Sequence, residues 1–259
     1  MIPISGCIIS FNEEDRIADC IQSLDFCDEI LVLDSESTDH TREIAESLGA
    51  RVEIQPFLGH RDQKQAAVDR VSHDWIFSLD ADERVSEELR KEILAARREP
   101  SESVAGFRMP RKNRYLGRWM KHGLFWPDRK LRCFDRRQCR WGGTDPHDRV
   151  EPADGAKIVD LQGPILHDSY RSFAEHRRTV DGFAHIAARA MYEEGRRAPV
   201  GSPWTRAIGA WIKALGPKLA WMDGWRGLVA AWMSARYNYV RYKELRHLAK
   251  EGQGKEGGA

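Results

Sequence analysis

The chain has 259 residues, of which 41% are hydrophobic, so it is long enough for one large domain or one domain with an appendage. Its 41 basic and 40 acidic residues leave a formal net charge of +1, which gives no argument for a nucleic acid partner. The five cysteines include no CxxC pair, and their odd number does not suggest a disulfide framework. A reducing compartment is therefore expected.

Four short apolar runs alternate with helical patterns in the first hundred residues. The runs predicted as strands are Ile4–Ser10, Glu29–Asp34, Arg51–Gln55 and Trp75–Leu79. The helices after them are predicted to begin at an N-cap Asn12, at Thr38 or Asp39, near Gln63, and at an N-cap Ser86. This alternation predicts an α/β fold with a mainly parallel sheet, whose ligand site lies at the carboxyl ends of the strands.

The rest of the chain divides into an irregular region and a helical one. Residues Ala105–Asp168 predict mixed strands and long loops, whereas Ser172–Leu248 predict helices. Breaks in the helical pattern are expected at Pro199–Pro203 and at Gly216-Pro217. We therefore predict an α/β domain over residues 1–170, a helical C-terminal extension over residues 171–250 and a flexible tail over residues 251–259.

The most informative motif is Asp80-Ala81-Asp82-Glu83, which directly follows the strand predicted over Trp75–Leu79. A carboxylate at a strand end can hold a hard divalent cation, Mn²⁺ or Mg²⁺, while a diphosphate supplies further oxygen ligands. Asp82 is the predicted metal ligand, and Asp80 is predicted to approach a ribose or to reach the metal through water. The alternative is an acidic turn that precedes a helix.

Other polar residues come at the ends of the neighbouring strands. Ser10, Asn12 and Glu13 follow the first strand, and Asp34 ends the second, where it could accept a hydrogen bond from a uracil ring or a ribose. Lys64 is predicted to pair with the diphosphate or the base of the same nucleotide. The alternatives are that the acids only cap helices and that Lys64 is an ordinary solvated lysine.

Several of these segments, in their order and spacing, resemble family 2 glycosyltransferases. The first four are Ile8–Glu14, Val32–Asp39, Gln63–Gln65 and Ser78–Glu83. The resemblance continues over nearly the whole chain through Pro110–Trp119, Trp126–Asp128, Leu166–Tyr170 and Asp223–Gly227. The later segments look like the subgroup of bacterial lipopolysaccharide inner-core enzymes that add β-glucose to a heptose. Two departures are Glu36, where the family usually has Gly, and Gln65, where it often has Asn.

The resemblance implies a GT-A fold, a nucleotide-diphosphate sugar donor with UDP-glucose favoured, a divalent metal, and inversion at the anomeric carbon. Inversion by direct displacement requires a carboxylate that takes the proton of the acceptor hydroxyl. Asp148, in the segment Pro146–Val150, is the predicted base, although the subgroup is expected to have Glu at this position. Asp145 and Asp128 are the alternatives, and each could instead bind acceptor hydroxyls or stabilise a turn.

His167 ends an apolar run and is predicted as a further metal ligand, although a lone histidine is more often structural. The segment Lys112–Lys121 mixes cations with aromatic residues, which suits a phosphorylated sugar acceptor or a membrane surface. Its candidate acceptor-binding residues are Arg114 and Arg118, together with Asp128 further along the chain.

The C-terminal helices combine five tryptophans, Trp204, Trp211, Trp221, Trp225 and Trp232, with many Lys and Arg residues. Such helices often lie in the interface of an anionic membrane, whereas the alternative is packing on the catalytic domain or on a second subunit. No uncharged run reaches the roughly 20 apolar residues of a membrane span, and acidic residues interrupt the apolar N-terminus. We therefore expect a cytoplasmic protein attached peripherally to the inner face of the cytoplasmic membrane, where a glycolipid or glycan acceptor would be found.

Three rival functions remain open at this point. A regulatory protein that binds a sugar nucleotide without catalysis would not need the acids, which are present. A nucleotidyltransferase would be expected to have a Gly-rich, basic first loop, whereas this chain has Phe11–Glu14. Transfer to a polyprenyl phosphate or to another envelope glycan would use the same donor chemistry.

Overall fold

The computed structural model describes residues 1–98, 103–144 and 147–256. The chain forms two compact units, the first made of Met1–Lys112 and Asp128–Asp168, the second of Asn113–Pro127 and Ser169–Ala259. This division differs from the predicted one because it groups Asn113–Pro127 with the C-terminal helices.

Twelve strands and seven α-helices are assigned in the described residues. The strands are β1 (Ile4–Ser10), β2 (Glu29–Asp34), β3 (Arg51–Ile54), β4 (Trp75–Asp80), β5 (Glu83–Val85), β6 (Val104–Tyr115), β7 (Arg118–Trp119), β8 (Arg129–Asp135), β9 (Cys139–Thr144), β10 (His147–Pro152), β11 (Lys157–Asp160) and β12 (Ile165–Tyr170). The helices are α1 (Ile17–Ser23), α2 (Thr41–Ser47), α3 (His60–Asp69), α4 (Glu87–Arg98), α5 (Phe173–Glu193), α6 (Ser202–Leu215) and α7 (Trp225–Glu256).

The main sheet has the strand order β3-β2-β1-β4-β8-β6-β12-β5, in which β11 and β7 also pair with β6. Strands β3, β2, β1 and β4 are parallel, whereas β8 is antiparallel to β4 and β6 is antiparallel to β8. Strands β9 and β10 form a separate antiparallel pair. The predicted α/β fold with a mainly parallel sheet is confirmed by the N-terminal half of this topology.

The parallel strands are buried on both faces, as their nearly continuous apolar runs predict. In β2, Val32 packs with Ile8 and Ile17 in one apolar cluster, while the neighbouring Leu31 and Leu33 pack in another. The alternation follows from the two-residue period of a strand. Helices on the two sides of the sheet cover these clusters and hold the strand ends in a fixed register.

Two local expectations differ from the structure. Asn12 does not cap a helix, since α1 begins at Ile17 and Asn12 has a φ of 54° in the loop before it. Strand β5 was not expected, because its three residues follow the acidic motif without an apolar pattern of their own. Ser86 does act as predicted, since its Oγ accepts a hydrogen bond of 3.2 Å from the backbone N–H of Leu89 in α4.

The second unit contains α5, α6 and α7 with two short 3₁₀ helices, Gly123–Phe125 and Ala220–Asp223. Ser172 caps α5 through a hydrogen bond of 3.1 Å from the backbone N–H of Glu175. The helical extension and its breaks before α6 and after it are confirmed. Helix α7 continues through Glu256, beyond the predicted end of the extension, and residues 257–259 lie outside the described residues.

An aromatic cluster centres on Tyr115 in this unit. The fully buried Tyr115 ring stacks on Phe125 with 5.3 Å between centroids, and its hydroxyl lies 2.8 Å from Nδ1 of His176. Burial lowers the pKa of His176 from 6.5 to about 4, so this imidazole is neutral at physiological pH.

Among the described residues, none of the helices combines the length and apolar character needed to span a membrane.

Candidate active site

The carboxyl ends of three parallel strands bring the predicted site residues of the first unit to one edge. Ser10 at the end of β1 is in register with Asp34 at the end of β2, and Ile9 is in register with Asp80 at the end of β4. The adjacent strand ends therefore carry a hydroxyl and two carboxylates side by side. Ligands of open α/β sheets bind at such an edge.

Asp34 is completely buried and binds groups of the protein itself. Its carboxylate accepts hydrogen bonds from the Ser10 hydroxyl at 2.9 Å, from the Ser37 hydroxyl at 2.5 Å and from the Ser37 backbone N–H at 2.8 Å. The loop after β2 is thereby held against the end of β1. Glu36 in this loop has a φ of 63°, a conformation that favours glycine, which agrees with Gly being usual there in the family pattern.

The loop after β1 is bound to the same segment. The backbone N–H of Asn12 donates to the Ser37 hydroxyl, and its side-chain Oδ1 accepts from the Thr38 N–H, both at 2.8 Å. The backbone N–H of Glu13 donates to the Thr41 hydroxyl at 2.8 Å, and its carboxylate lies 3.4 Å from the Arg16 guanidinium. Asn12 and Glu13 thus join the two loops that follow β1 and β2.

Lys64, on α3, lies between two of the predicted acids. Its Nζ is 3.0 Å from Oδ1 of Asp80 and 2.7 Å from Oδ2 of Asp148, and it lies 4.8 Å from the centre of the Trp141 ring. The side chain of Lys64 is 6% exposed, so the interpretation of an ordinary solvated lysine is wrong. Residues from α3, β4 and β10 therefore meet at one ammonium group.

The ion pair between Lys64 and Asp80 belongs to a longer series of charges. The other oxygen of Asp80 lies 3.0 Å from Nη2 of Arg132, which also contacts Glu83 at 3.0 Å. Glu83 in turn lies 2.9 Å from Arg111, and Arg111 lies 2.7 Å from Asp128. We call these seven alternating acids and bases the charge chain: Asp128, Arg111, Glu83, Arg132, Asp80, Lys64 and Asp148.

The charge chain keeps two of its carboxylates, those of Asp80 and Asp128, ionised. Burial by itself raises the pKa of Asp80, but the charges of Lys64 and Arg132 outweigh it and hold the pKa well below the ordinary 3.8. The same balance lowers the pKa of Asp128, where burial is outweighed by Arg111 and Lys130. Both groups are therefore negative at neutral pH.

Asp82 and His167 form a separate pair beside this chain. Oδ2 of Asp82 lies 3.1 Å from Nε2 of His167 and 3.6 Å from the Arg16 guanidinium. Burial raises the pKa of Asp82, but His167 and Arg16 outweigh this effect, so the pKa is lowered. The pairing of β12 with β5 brings the two residues together, since His167 is in register with Glu83.

The pair of Asp82 and His167 offers one oxygen and one nitrogen ligand to a cation. In the described part of the chain, no group of three or more His, Cys, Asp or Glu residues is arranged to hold a metal ion. The donor set fits a divalent ion that takes its other ligands from phosphate oxygens and water, as Mg²⁺ and Mn²⁺ commonly do.

Residues 5–153 match the model of a protein family described as glycosyl transferase family 2. The chain belongs to this family. The transferase is also 31% identical over 260 residues to an uncharacterized glycosyltransferase of Rickettsia typhi, a match that covers 96% of this chain and 88% of the relative. The predicted GT-A fold agrees with this membership and with the parallel order β3-β2-β1-β4.

A second relative of the transferase has a more specific name. It is the lipopolysaccharide core biosynthesis glycosyltransferase LpsC of Rhizobium meliloti, 31% identical over 205 residues that cover 76% of this chain and 74% of LpsC. Among solved structures, S. aureus TarS 1-349 in complex with UDP-GlcNAc matches with a TM-score of 0.49 and 15% identity, covering 97% of this chain and 92% of that one.

Sequence reasoning missed two members of the site of the transferase. Arg132 is 3% exposed within β8, and Trp141 on β9 is 6% exposed with its ring 5.3 Å from the Arg132 guanidinium. Nε and Nη1 of Arg132 and Nε1 of Trp141 have no hydrogen-bond partner among the residues that the structure describes. Strand β8 carries four charged residues among its seven, so its sequence does not distinguish Arg132 from its charged neighbours.

The residues predicted to bind the acceptor, Arg114, Arg118 and Asp128, are divided between the two units. Arg114 and Arg118 belong to the second unit, where both are exposed at a hairpin between β6 and β7 whose turn residues have φ values of 46° and 79°. Asp128 is in the first unit, where Arg111 and Lys130 bind its two oxygens. Asp145, the other alternative base, lies outside the described residues.

Proposed function

We propose that the transferase moves a sugar from a nucleotide-diphosphate donor, with UDP-glucose favoured, to a hydroxyl of a lipopolysaccharide core acceptor. The observation that carries this proposal is the meeting of Lys64, Asp80 and Asp148 at the carboxyl edge of the sheet. The name of the Rhizobium meliloti relative supports the acceptor class. The reaction is a single displacement that inverts the anomeric carbon.

The donor would lie along the ends of β1, β2 and β4. Asp34 is the proposed acceptor of a hydrogen bond from a uracil ring or a ribose; because its carboxylate is completely buried and accepts three hydrogen bonds from Ser10 and Ser37, the loop after β2 would have to move to expose it. Asn12, Glu13 and Ser10 hold the loops that shape this pocket. The unpaired N–H groups of Arg132 and Trp141, beside Lys64, suit the oxygen-rich diphosphate of such a donor.

Asp82 and His167 would hold the divalent metal, and Asp80 would approach the ribose or the metal through water. When bound, such an ion neutralises the charge that grows on a leaving diphosphate. The positive charges of Lys64 and Arg132 act on the same developing charge from the protein side. The guanidinium of Arg16 lies 3.6 Å from the same Asp82 oxygen that pairs with His167.

Asp148 is the proposed base that accepts the proton of the acceptor hydroxyl. In the structure its Oδ2 is bound by Lys64, which also binds Asp80. A donor diphosphate would attract the Lys64 ammonium and leave the Asp148 oxygen open to the acceptor. Asp128 is less suited to this role, because Arg111 and Lys130 lower its pKa and bind both of its oxygens.

The acceptor would be recognised as a phosphorylated sugar. Arg114 and Arg118 are exposed cations that suit phosphate groups, and Asp128 would bind sugar hydroxyls through the acceptor sites that its two cations leave. If the acceptor is part of a glycolipid, the reaction takes place at a membrane, and we propose that the transferase is peripheral on the inner face of the cytoplasmic membrane.

Calorimetric titration with UDP-, GDP- and CDP-sugars, in Mn²⁺ or Mg²⁺ and then in EDTA, tests the donor and the metal together. We expect UDP-glucose to bind with metal and to bind much more weakly in EDTA. Asp82→Asn should weaken this metal-dependent binding, whereas Asp160→Asn, an exposed control on β11, should not. Failure of every nucleotide sugar to bind to folded protein would argue against the transferase proposal.

A comparison of the transfer rate with donor binding distinguishes the role of the base from that of the donor site. Asp148→Asn should reduce transfer by a factor of at least about 100 while UDP-glucose binding is preserved, since general-base catalysis contributes roughly that much. Unchanged turnover would exclude Asp148 as the base. Mass analysis of products from lipopolysaccharide core and from polyprenyl phosphate acceptors distinguishes the proposed acceptor from its main alternative.

A further inference from the structure

Helix α6 carries its large apolar side chains on its outer side. Trp204, Ile208, Trp211 and Ile212 are 64%, 55%, 47% and 58% exposed, and their spacing places them on one face of the helix. An adjoining side of the helix carries the small residues Ala207 and Ala214, which are buried. A helix on a water-soluble surface normally has the reverse arrangement, with its apolar stripe facing the core.

Further large apolar side chains are exposed in the part of the chain that follows α6. They are Leu219, Trp221, Met222, Trp225, Leu228 and Trp232, each between 42% and 56% exposed. We call these six residues together with the four of α6 the tryptophan face. Single exposed apolar residues are normal on a protein surface, whereas ten within one short stretch of chain indicate an interaction site.

The charges around the tryptophan face are almost all positive. Between Gly195 and Lys243 the sequence contains a single acidic residue, Asp223. Asp223 is 5% exposed and accepts hydrogen bonds from the backbone N–H groups of Lys121 and His122, so it contributes little negative charge to the surface. The basic residues between Trp204 and Trp232 are Arg206, Lys213, Lys218 and Arg226.

We propose that the tryptophan face binds the interface of an anionic lipid bilayer, with α6 lying in the plane of the headgroups. Tryptophan rings favour this interface, and burial of the apolar side chains there supplies the main attraction. Arg206 and Lys213, on the polar side of α6, add attraction to anionic headgroups. The proposal rests on the second unit alone and holds whatever donor and acceptor the transferase uses.

A second copy of the chain is a less suitable partner for this face. In a two-fold symmetric contact the same patch meets itself, so each copy would bring the four basic residues of this stretch, Arg206, Lys213, Lys218 and Arg226, close to those of the other copy. No exposed acid lies within the segment to pair with them, because Asp223 is buried. Anionic lipid supplies the missing negative charge, and it also accepts the apolar side chains.

Vesicle flotation with the full chain tests the proposal. Wild-type protein should bind vesicles of mixed phosphatidylcholine and phosphatidylglycerol, and bind vesicles of phosphatidylcholine alone more weakly. The double variant Trp211→Ser, Ile212→Ser should bind at least about tenfold more weakly, because two apolar anchors are lost. The matched control is Phe57→Ser, Leu58→Ser, whose side chains in the first unit are 51% and 50% exposed and should be irrelevant to binding.

The charge contribution has its own test. Arg206→Glu, Lys213→Glu should remove the preference for anionic vesicles, whereas Arg140→Glu, Lys157→Glu, an exposed pair in the first unit, should retain it. Circular dichroism establishes that each variant is folded. Equal vesicle binding by wild type and the α6 serine variant, or no vesicle binding at all, would overturn the proposal. Self-association that the same serine variant abolishes would assign the face to a second copy instead.

Discussion

Replacing Arg132 with methionine tests whether the charge chain stabilises the first unit. Methionine keeps much of the length of arginine and removes its charge and hydrogen bonds. Arg132 is 3% exposed, and its Nη2 lies 3.0 Å from both Asp80 and Glu83. The variant therefore leaves two carboxylates that have lost one cation each, while Lys64 still pairs with Asp80 and Arg111 with Glu83.

The size of the effect follows from this arrangement. Removing one partner of a buried ion pair typically destabilises a protein by about 3–5 kcal/mol. Because each carboxylate keeps one cation, we expect the lower end of that range, about 3 kcal/mol in the free energy of unfolding. At neutral pH this loss of stability should be largest, since the lowered pKa of Asp80 keeps its carboxylate charged there.

The pH dependence has a definite sign. In the wild type the pKa of Asp80 lies well below 3.8, so this group stabilises the fold above about pH 4, and the stabilisation is lost as the pH falls through the folded pKa. Without Arg132 the folded pKa rises, and Asp80 takes up a proton at higher pH. The difference between variant and wild type should therefore narrow below about pH 4.

Urea unfolding followed by circular dichroism, at neutral pH and at about pH 3, measures both effects. Arg108→Met is the matched control, because Arg108 makes a bidentate ion pair with Asp160 on the exposed surface. Its loss should change stability little. The reasoning is refuted if Arg132→Met is as stable as the wild type at neutral pH, or if the two arginine variants behave alike.

Two further predictions concern other parts of the fold. Because burial holds the pKa of His176 near 4, wild-type stability should decline by up to about 3 kcal/mol between pH 6.5 and pH 4, and His176→Gln should remove that decline in urea titrations. Gly163→Ala should lower the melting temperature, since its Cβ would lie 2.3 Å from the backbone nitrogen of Leu89, whereas Gly182→Ala, with open space in α5, should raise it. Equal melting temperatures for the two alanine variants would contradict the packing argument.

The elements with a strong local pattern could be predicted from the sequence. The bounds of β1 and β2 agree with the predicted strands because each is an apolar run that ends at a polar residue. The cap at Ser86 was found for the same reason, since a serine preceding two glutamates and a helical apolar pattern is a local signal. The α/β class follows from the alternation of such elements.

Other features depend on contacts between distant residues and have no local signature. Asn12 is of a residue type that often caps helices, but here its backbone is in the left-handed region within a loop. Hydrogen bonds with Ser37 and Thr38 of the neighbouring loop hold it there. Strand β5 forms because β12 pairs with it, and that partner comes about eighty residues later. Tertiary contacts override local preference in both cases.

The acidic residues of the candidate site could be predicted from the sequence, whereas its Lys and Arg residues could be predicted only in part. Asp34, Asp80 and Asp82 follow apolar strands, so their convergence at one edge is a consequence of parallel topology. Lys64 was named without its partners, and Arg132 was not named, because their pairing with Asp80 depends on α3 and β8 approaching β4 from different parts of the chain. The catalytic and binding roles of all these residues remain predictions.

The bonding of Asp34 has a consequence for altering the nucleotide preference of the transferase. The carboxylate that is proposed to read the base also fastens the loop after β2 to the end of β1, through Ser10 and Ser37. A replacement chosen to suit another base would release the loop at the same time. The preference for a nucleotide and the conformation of the loop after β2 therefore depend on the same side chain. A change to another nucleotide would require residues 34–38 to change together.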